Sequence, residues 1–142
     1  MRAFFSYLMV LMEDNTIKVI QELNPVAMEQ LIGVLGSRIL IVKFSATWCG
    51  PCKTIKDTVH SCITQFPPDK LVFADLDTDT NVELYGMMKS KRMVNGIPVI
   101  LAYDGRIKRD RWFIPDDSIT GGHISGVQQF FARCAERIKS MM

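Results

Sequence analysis

Apolar side chains along this chain follow two periods, and the points where one gives way to the other mark out its elements. Ile39 to Phe44, Ile-Leu-Ile-Val-Lys-Phe, is a nearly unbroken apolar run rich in β-branched residues, the pattern of a strand covered on both faces. The spacing then lengthens: Cys52, Ile55, Val59, Cys62, Ile63 and Phe66 share one helical face, and Pro67-Pro68 stops that helix. Upstream, Ile17 to Leu23 reads as a first strand. Asn24-Pro25 reads as the N-cap and first position of a helix carrying Val26, Met28, Leu31, Ile32 and Leu35 and ended by Gly36. Downstream, Leu71 to Leu76 predicts a third strand, and Asn81 to about Met93 a helix on which Val82, Tyr85, Met88 and Lys89 are neighbours. Val99 to Tyr103, turning at Asp104-Gly105 into Arg106 to Phe113, predicts a hairpin. Val127, Phe130, Phe131, Cys134 and Ile138 form the apolar face of a closing helix. The order βαβαβαββα predicts an α/β sandwich with a mixed sheet over residues 15–142, without repeat, linker or low-complexity segment.

Residues 1–14 stand outside this pattern. Ala3 to Leu11 is an apolar run preceded by Arg2 and followed by Glu13-Asp14. It is shorter than the ~20 apolar residues a membrane-spanning helix needs, and no small-X-small cleavage site follows it. Three readings apply: an extension that packs or frays, a start that belongs at Met12, or targeting with membrane contact of residues 3–12.

Composition narrows the class. At 142 residues and 48% hydrophobic, the chain is long enough for one well-buried core and short for two. A net charge of +2 gives no support for nucleic acid or an acidic substrate as a partner. Four cysteines do not make a dense secreted framework, which favours a reducing, cytoplasmic setting.

Two of those cysteines lie where the strand turns into the helix, in Ala46-Thr47-Trp48-Cys49-Gly50-Pro51-Cys52. The first turn of a helix carries unpaired N–H groups and a partial positive charge that stabilise an anion placed there. A free cysteine ionises near pH ~8.5, and such a position favours the nucleophilic thiolate at Cys49. Pro51 fits the first turn, where its missing N–H costs nothing. With Cys52 one step further in, a mixed disulfide formed by Cys49 is open to attack by Cys52. Cys62 and Cys134 fall on apolar helix faces and read as core packing. His60 and His123 read as solvent-facing or loop residues, and no zinc site or other cofactor is expected.

The segment Phe44-Ser45-Ala46-Thr47-Trp48-Cys49-Gly50-Pro51-Cys52-Lys53 resembles the active-site segment of thioredoxins, and the resemblance extends from about Thr16 to Phe113. It implies the thioredoxin fold, a mixed sheet of about five strands flanked by about four helices. It also implies thiol-disulfide exchange that reduces protein disulfides, Cys49 attacking and Cys52 resolving, in a monomer recycled by a thioredoxin-reductase-like donor. Gly96-Ile97-Pro98-Val99 is similar to the segment holding the family's cis-proline. Taken alone, it could also be an ordinary turn before an edge strand. The resemblance carries over Trp48, Gly50, Pro51, Ile97 and Pro98 as the apolar surface on which a substrate chain docks.

The departures from the family pattern define what is particular here. The buried carboxylate expected six residues before the first cysteine is Lys43, and the lysine expected in the third strand is Asp75. Either the two form an exchanged ion pair under the dithiol, or Lys43 reaches the surface along its stem. Asp57 replaces a kinking proline, predicting a straighter redox helix. Near Phe113, where a groove glycine is expected, Trp112-Phe113-Ile114-Pro115 places bulk, followed by an inserted loop from Asp116 to Gly122. These changes predict an altered substrate range. They also keep two other classes open, an interaction module whose dithiol is incidental and a disulfide oxidase or isomerase.

Overall fold

A computed structural model describes residues 17–142. The apolar run Ala3 to Leu11 and the rest of the 1–14 extension lie outside the described residues. Five strands, β1 (Val19–Ile20), β2 (Ile39–Ser45), β3 (Leu71–Asp77), β4 (Val99–Asp104) and β5 (Asp117–Thr120), form one sheet in the order β1-β3-β2-β4-β5. The pairs β1–β3 and β3–β2 are parallel, whereas β2–β4 and β4–β5 are antiparallel. Four helices cover it: α1 (Pro25–Gly33), α2 (Gly50–Ile63), α3 (Val82–Ser90) and α4 (Ile124–Lys139).

The strand period of two divides the core. Leu40, Val42, Phe44, Val72, Ala74, Leu76, Leu101 and Tyr103 face α1 and α3, meeting Met28, Leu31, Leu84 and Met88. Ile39, Ile41, Leu71, Phe73, Ile100 and Ala102 face α2 and α4, meeting Ile55, Val59, Phe130 and Phe131. The central strands are apolar on both sides because both are covered, and each fully buried large side chain contributes about 1.5–3 kcal/mol. All five residues expected on the closing helix, from Val127 to Ile138, are buried. By the same alternation Lys43 and Asp75 point to the α2 side.

Several boundaries differ from expectation. The first strand is two residues rather than the run Ile17 to Leu23, because the buried side chain of Asn81 replaces the ladder. Its Oδ1 accepts the Leu23 N–H at 2.9 Å and its Nδ2 donates to the Gln21 carbonyl at 3.1 Å, so the chain turns away into the Asn24-capped helix. Helix α1 ends at Gly33, before Gly36, and Val26 is exposed. Helix α3 stops at Ser90 instead of near Met93, with Leu84 and Met88 inward and Val82 exposed. Its end is a Schellman turn in which Arg92 N–H donates to Lys89 O and Met93 N–H to Met88 O. Arg92 takes the left-handed position at φ 62° that glycine usually fills. Helix α2 runs unbroken through Asp57.

The hairpin is the largest correction. Arg106 to Phe113 is not a strand: the partner of β4 is β5, which lies inside the segment expected to be an inserted loop. A twelve-residue connection, Gly105 to Asp116, precedes it. Trp112 and Phe113 pack onto the α1/α3 core, and Tyr103 Oη donates to the Phe113 carbonyl at 2.8 Å. Arg109 pairs with Asp116, and Arg106 and Arg137 reach the buried Asp104 at 2.8 and 3.5 Å. Four cationic residues between 106 and 111 thus make a loop held by pairing and packing rather than a strand.

Burial alone would raise the Asp104 carboxyl pKa, but hydrogen bonds and charge from Arg106, with a bond from Arg137, hold it below the ordinary aspartate range. A depressed folded pKa stabilises above the unfolded pKa, and that contribution is lost as pH falls through the folded value. Asp104→Asn is expected to cost about 2–3 kcal/mol at neutral pH. Urea titration should show the difference from wild type shrinking as pH drops below the usual aspartate range. A constant difference down to strong acid contradicts this account.

Candidate functional site

The site sits at the carboxyl ends of the parallel strands β2 and β3, where three segments meet. The first is the strand-to-helix turn. Cys49 is the N-cap of α2, in an extended backbone at φ −92° and ψ 113°, and Pro51 lies in the first turn. Its Sγ accepts the Cys52 N–H at 3.3 Å, so the sulfur occupies the place of an ordinary capping oxygen at the positive end of the helix. Cys49 and Cys52 are joined in a disulfide with Cα atoms 5.3 Å apart, and both are buried. The arrangement is therefore the oxidised form of a dithiol.

The second segment is Ile97-Pro98, whose peptide bond is cis. The Ile97 carbonyl oxygen lies 4.0 Å from Cys49 Sγ, and Ile97 packs against Ala46, Cys49 and Cys52. The third was not expected from the sequence. Gly121 N–H donates to the Pro98 carbonyl at 2.9 Å, and a Cβ on Gly122 would stand 2.9 Å from Pro51 Cβ. A glycine does therefore border the groove, at the end of β5, and Trp112 and Phe113 do not take its place. The Gly121-Gly122 pair was the available signal, obscured because β5 was read as a loop.

Trp48 is 68% exposed, and its Nε1 donates to Asp79 Oδ2 at 3.0 Å, which holds the indole beside the dithiol. Gly50 is exposed, and Pro98 is buried at the groove floor. Trp48 and half-buried Ile97 present apolar surface beside the dithiol.

Beneath the turn, Lys43 and Asp75 are register neighbours on β2 and β3, with Nζ 3.6 Å from Asp75 Oδ1. The Lys43 side chain is 5% exposed and that of Asp75 39%, so the cation is the buried partner and the anion meets solvent. Both line, with Cys52, Lys53, Lys56 and Asp77, a cleft of about 530 Å³ behind the dithiol. The remaining thiols are unlike this pair. Burial raises the pKa of half-buried Cys62 and pushes that of Cys134 up to about 12, so neither competes as a nucleophile at neutral pH. His60 and His123 are exposed. Among the described residues, no three His, Cys, Asp or Glu side chains converge as metal ligands, and no helix is long and apolar enough to cross a membrane.

A dithiol at a helix N-terminus, facing a proline-opened strand on a five-stranded mixed sheet, is an arrangement shared with known proteins. By structure, the chain is similar to thioredoxin from Plasmodium falciparum (TM-score 0.59, 22% identity, covering 82% of this chain and 98% of that one). It is also similar to thioredoxin f from spinach chloroplast (TM-score 0.60, 18% identity, covering 92% and 98%). By sequence, a 44-residue stretch is 50% identical to thioredoxin from Ophiophagus hannah, covering 31% of this chain and 40% of that protein. Matches to the first curated relatives span between 40% and 49% of their lengths. The family model described as Thioredoxin matches residues 19–112, more than half of the chain and the first two of the three segments of the site. The chain belongs to the thioredoxin family, and its Cys49–Cys52 pair, two residues apart and joined as a disulfide, fits a Cys-X-X-Cys motif.

Proposed function

We propose that the chain reduces disulfides in proteins. The observation that carries the reading is the placement of Cys49 Sγ, at a helix N-terminus and 4.0 Å from the Ile97 carbonyl, within a groove shaped for an extended peptide. In the reduced form the Cys49 thiolate attacks one substrate sulfur; a Cys49–substrate disulfide forms and the substrate S–S bond breaks, releasing one thiolate. Cys52 then attacks Cys49 Sγ, forming the Cys49–Cys52 disulfide and releasing the second thiol, so two electrons pass to the substrate. Trp48, Gly50, Pro51, Ile97 and Pro98 hold the substrate chain. A thioredoxin-reductase-like donor returns the dithiol to its reduced form, in a reducing cytoplasmic setting. The protein acts as a monomer, which sedimentation as a single species of one chain's mass tests.

The reduction potential of the pair in glutathione or dithiothreitol buffers decides between reductase and its alternatives. A value near −270 mV together with reduction of insulin is expected, roughly the thioredoxin poise. A value of roughly −120 to −180 mV, the range of disulfide-forming and isomerising relatives, overturns the reading. The incidental-dithiol reading has lost one of its supports, since a glycine does border the groove.

Lys43 and Asp75 divide the work of resolution. Protonated Lys43 favours the Cys52 thiolate by charge but has no lone pair to receive its proton. Asp75, half open to the cleft, is the group that receives it and passes it to solvent. Lys43→Met is expected to slow resolution of the mixed disulfide about tenfold, the scale of one nearby charge on a thiol, while the first attack changes little. Rapid-quench trapping separates the steps. Equal lifetimes of the mixed disulfide in variant and wild type would rule this role out.

A further inference from the structure

We infer that Asn81 is a positioning residue for the docking surface: by bridging the β1–α1 junction to the turn after β3, it fixes Asp79 and, through Asp79, the Trp48 indole beside the dithiol. This rests on the reductase reading above and adds to it a residue that acts only through its neighbours.

Trp48 depends on such support. Its indole is 68% exposed and belongs to none of the apolar clusters of the described residues, so the bond from Nε1 to Asp79 Oδ2 at 3.0 Å is what orients it. Asp79 is itself exposed, and its place is set by the turn from Asp77 to Asn81. Two anchors hold that turn. On one side of Asp79, the Thr78 N–H donates to the Ser45 carbonyl at 2.9 Å, on the strand that leads to Trp48. Within the turn, the Asp79 N–H donates to Asp77 Oδ1 at 2.7 Å. The other anchor is Asn81, two residues beyond Asp79.

Asn81 is placed as a bridge rather than for its ordinary local use. It occupies the N-cap of α3, where an asparagine oxygen ordinarily accepts an N–H of the first helical turn, yet its side chain makes no capping bond. The residue is 5% exposed, and its amide turns inward. Oδ1 accepts the Leu23 N–H at 2.9 Å, and Nδ2 donates to the Gln21 carbonyl at 3.1 Å, to the Asp77 carbonyl at 3.0 Å and to Thr80 Oγ1 at 3.2 Å. One side chain therefore joins positions 58 and 60 residues away to the residue that begins the turn. The same Asp77 carbonyl accepts the Asn81 N–H at 3.0 Å, which fixes the bridge to the turn's backbone. An asparagine supplies an acceptor and two donors at this reach; a serine is too short, and an ionised aspartate has no donor. The cap forgone at α3 is offset by these buried bonds, and the stretch they hold in place is the one that carries Asp79. Without the bridge, the turn keeps only its attachment to β2, and Asp79 and the indole gain freedom together.

The test follows the two indole N–H signals by NMR, together with reduction of a disulfide-bridged peptide, in wild type, Asn81→Ser, Asp79→Ala and the double variant. Serine is a good N-cap, so α3 keeps a capping residue while the bridge is lost. Trp112 packs on the α1/α3 core and reports the fold, whereas Trp48 reports the site. In Asn81→Ser the Trp48 signal is expected to move toward that of a solvent-exposed indole and the Trp112 signal to stay. KM for the peptide should rise about fivefold, the worth of about one hydrogen bond, with kcat changed by less than about twofold. Asp79→Ala should raise KM as much, and adding Asn81→Ser to it should raise KM by less than about a further twofold, because both act on one indole. An unmoved Trp48 signal, an unchanged KM or additive effects in the double variant overturns the inference and leaves the reductase reading standing. Displacement of the Trp112 signal along with that of Trp48 assigns Asn81 to the core alone and overturns it too. Failure of the wild type to reduce either the peptide or insulin overturns the reductase reading and the inference with it.

Discussion

Cys52→Ser is expected to stop turnover at the covalent intermediate, leaving the chain joined to its substrate through Cys49. The serine hydroxyl is nearly isosteric with the thiol but is not a thiolate at neutral pH, so the first exchange proceeds and the second does not. Cys49→Ser should instead remove reaction altogether and trap nothing, because the sulfur that caps α2 at 3.3 Å from the Cys52 N–H is the one placed to attack. The two variants therefore separate the roles. Non-reducing electrophoresis with a disulfide substrate should show an adduct for Cys52→Ser only. An adduct with Cys49→Ser in place of Cys52→Ser would reverse the assignment, and one with both would show that either thiol can attack. Activity should fall to the uncatalysed level in each, while stability of the reduced protein changes little because serine retains the helix cap.

Gly105→Ala is expected to destabilise the protein by about 3 kcal/mol, the upper end of what overpacking costs. The position looks in sequence like the glycine of a two-residue hairpin turn, where alanine is disfavoured by backbone conformation. In the fold its φ is not positive; the constraint is space. A Cβ there would be driven into the Gly36 carbonyl oxygen, 2.5 Å from Leu35 Cβ and 3.0 Å from the Arg38 carbonyl oxygen, and those neighbours are mostly backbone. The Gly105 N–H also donates to Arg38 O at 2.9 Å, so the chain cannot back away without losing that bond. Denaturant unfolding measures the loss. A change under about 1 kcal/mol would mean that the α1–β2 connection yields easily.

The chemistry of the site was largely legible from local sequence, and its surroundings were not. A Cys-Gly-Pro-Cys run between an apolar strand and an amphipathic helix specifies its own geometry through capping and helical spacing. The disulfide and the Cys49 cap accordingly appear where the pattern puts them. The exchange of charge between Lys43 and Asp75 was also visible, because parallel strands in register bring matched positions side by side. Gly122 was hidden for the opposite reason. Its contact is with Pro51, 71 positions away, and it depends on which segment pairs with β4. Arg106 to Phe113 alternates poorly but follows a turn signal, whereas Asp117 to Thr120 is only four residues long and half polar. Pairing of β5 is supported by closure of the β4–β5 connection through Arg109–Asp116 and the Tyr103–Phe113 hydrogen bond, side-chain contacts for which hydrophobic periodicity has no signature.

By itself, then, the sequence determined the α/β class, the central strands, the faces of α2 and α4 and the dithiol at a helix start. All of these follow from side-chain period and capping over a few residues. The tertiary structure alone decided where the sheet ends, which glycine lies against Pro51 and where the connection between β4 and β5 packs. Each of these depends on contacts between segments far apart in the chain, where packing and pairing override local preference.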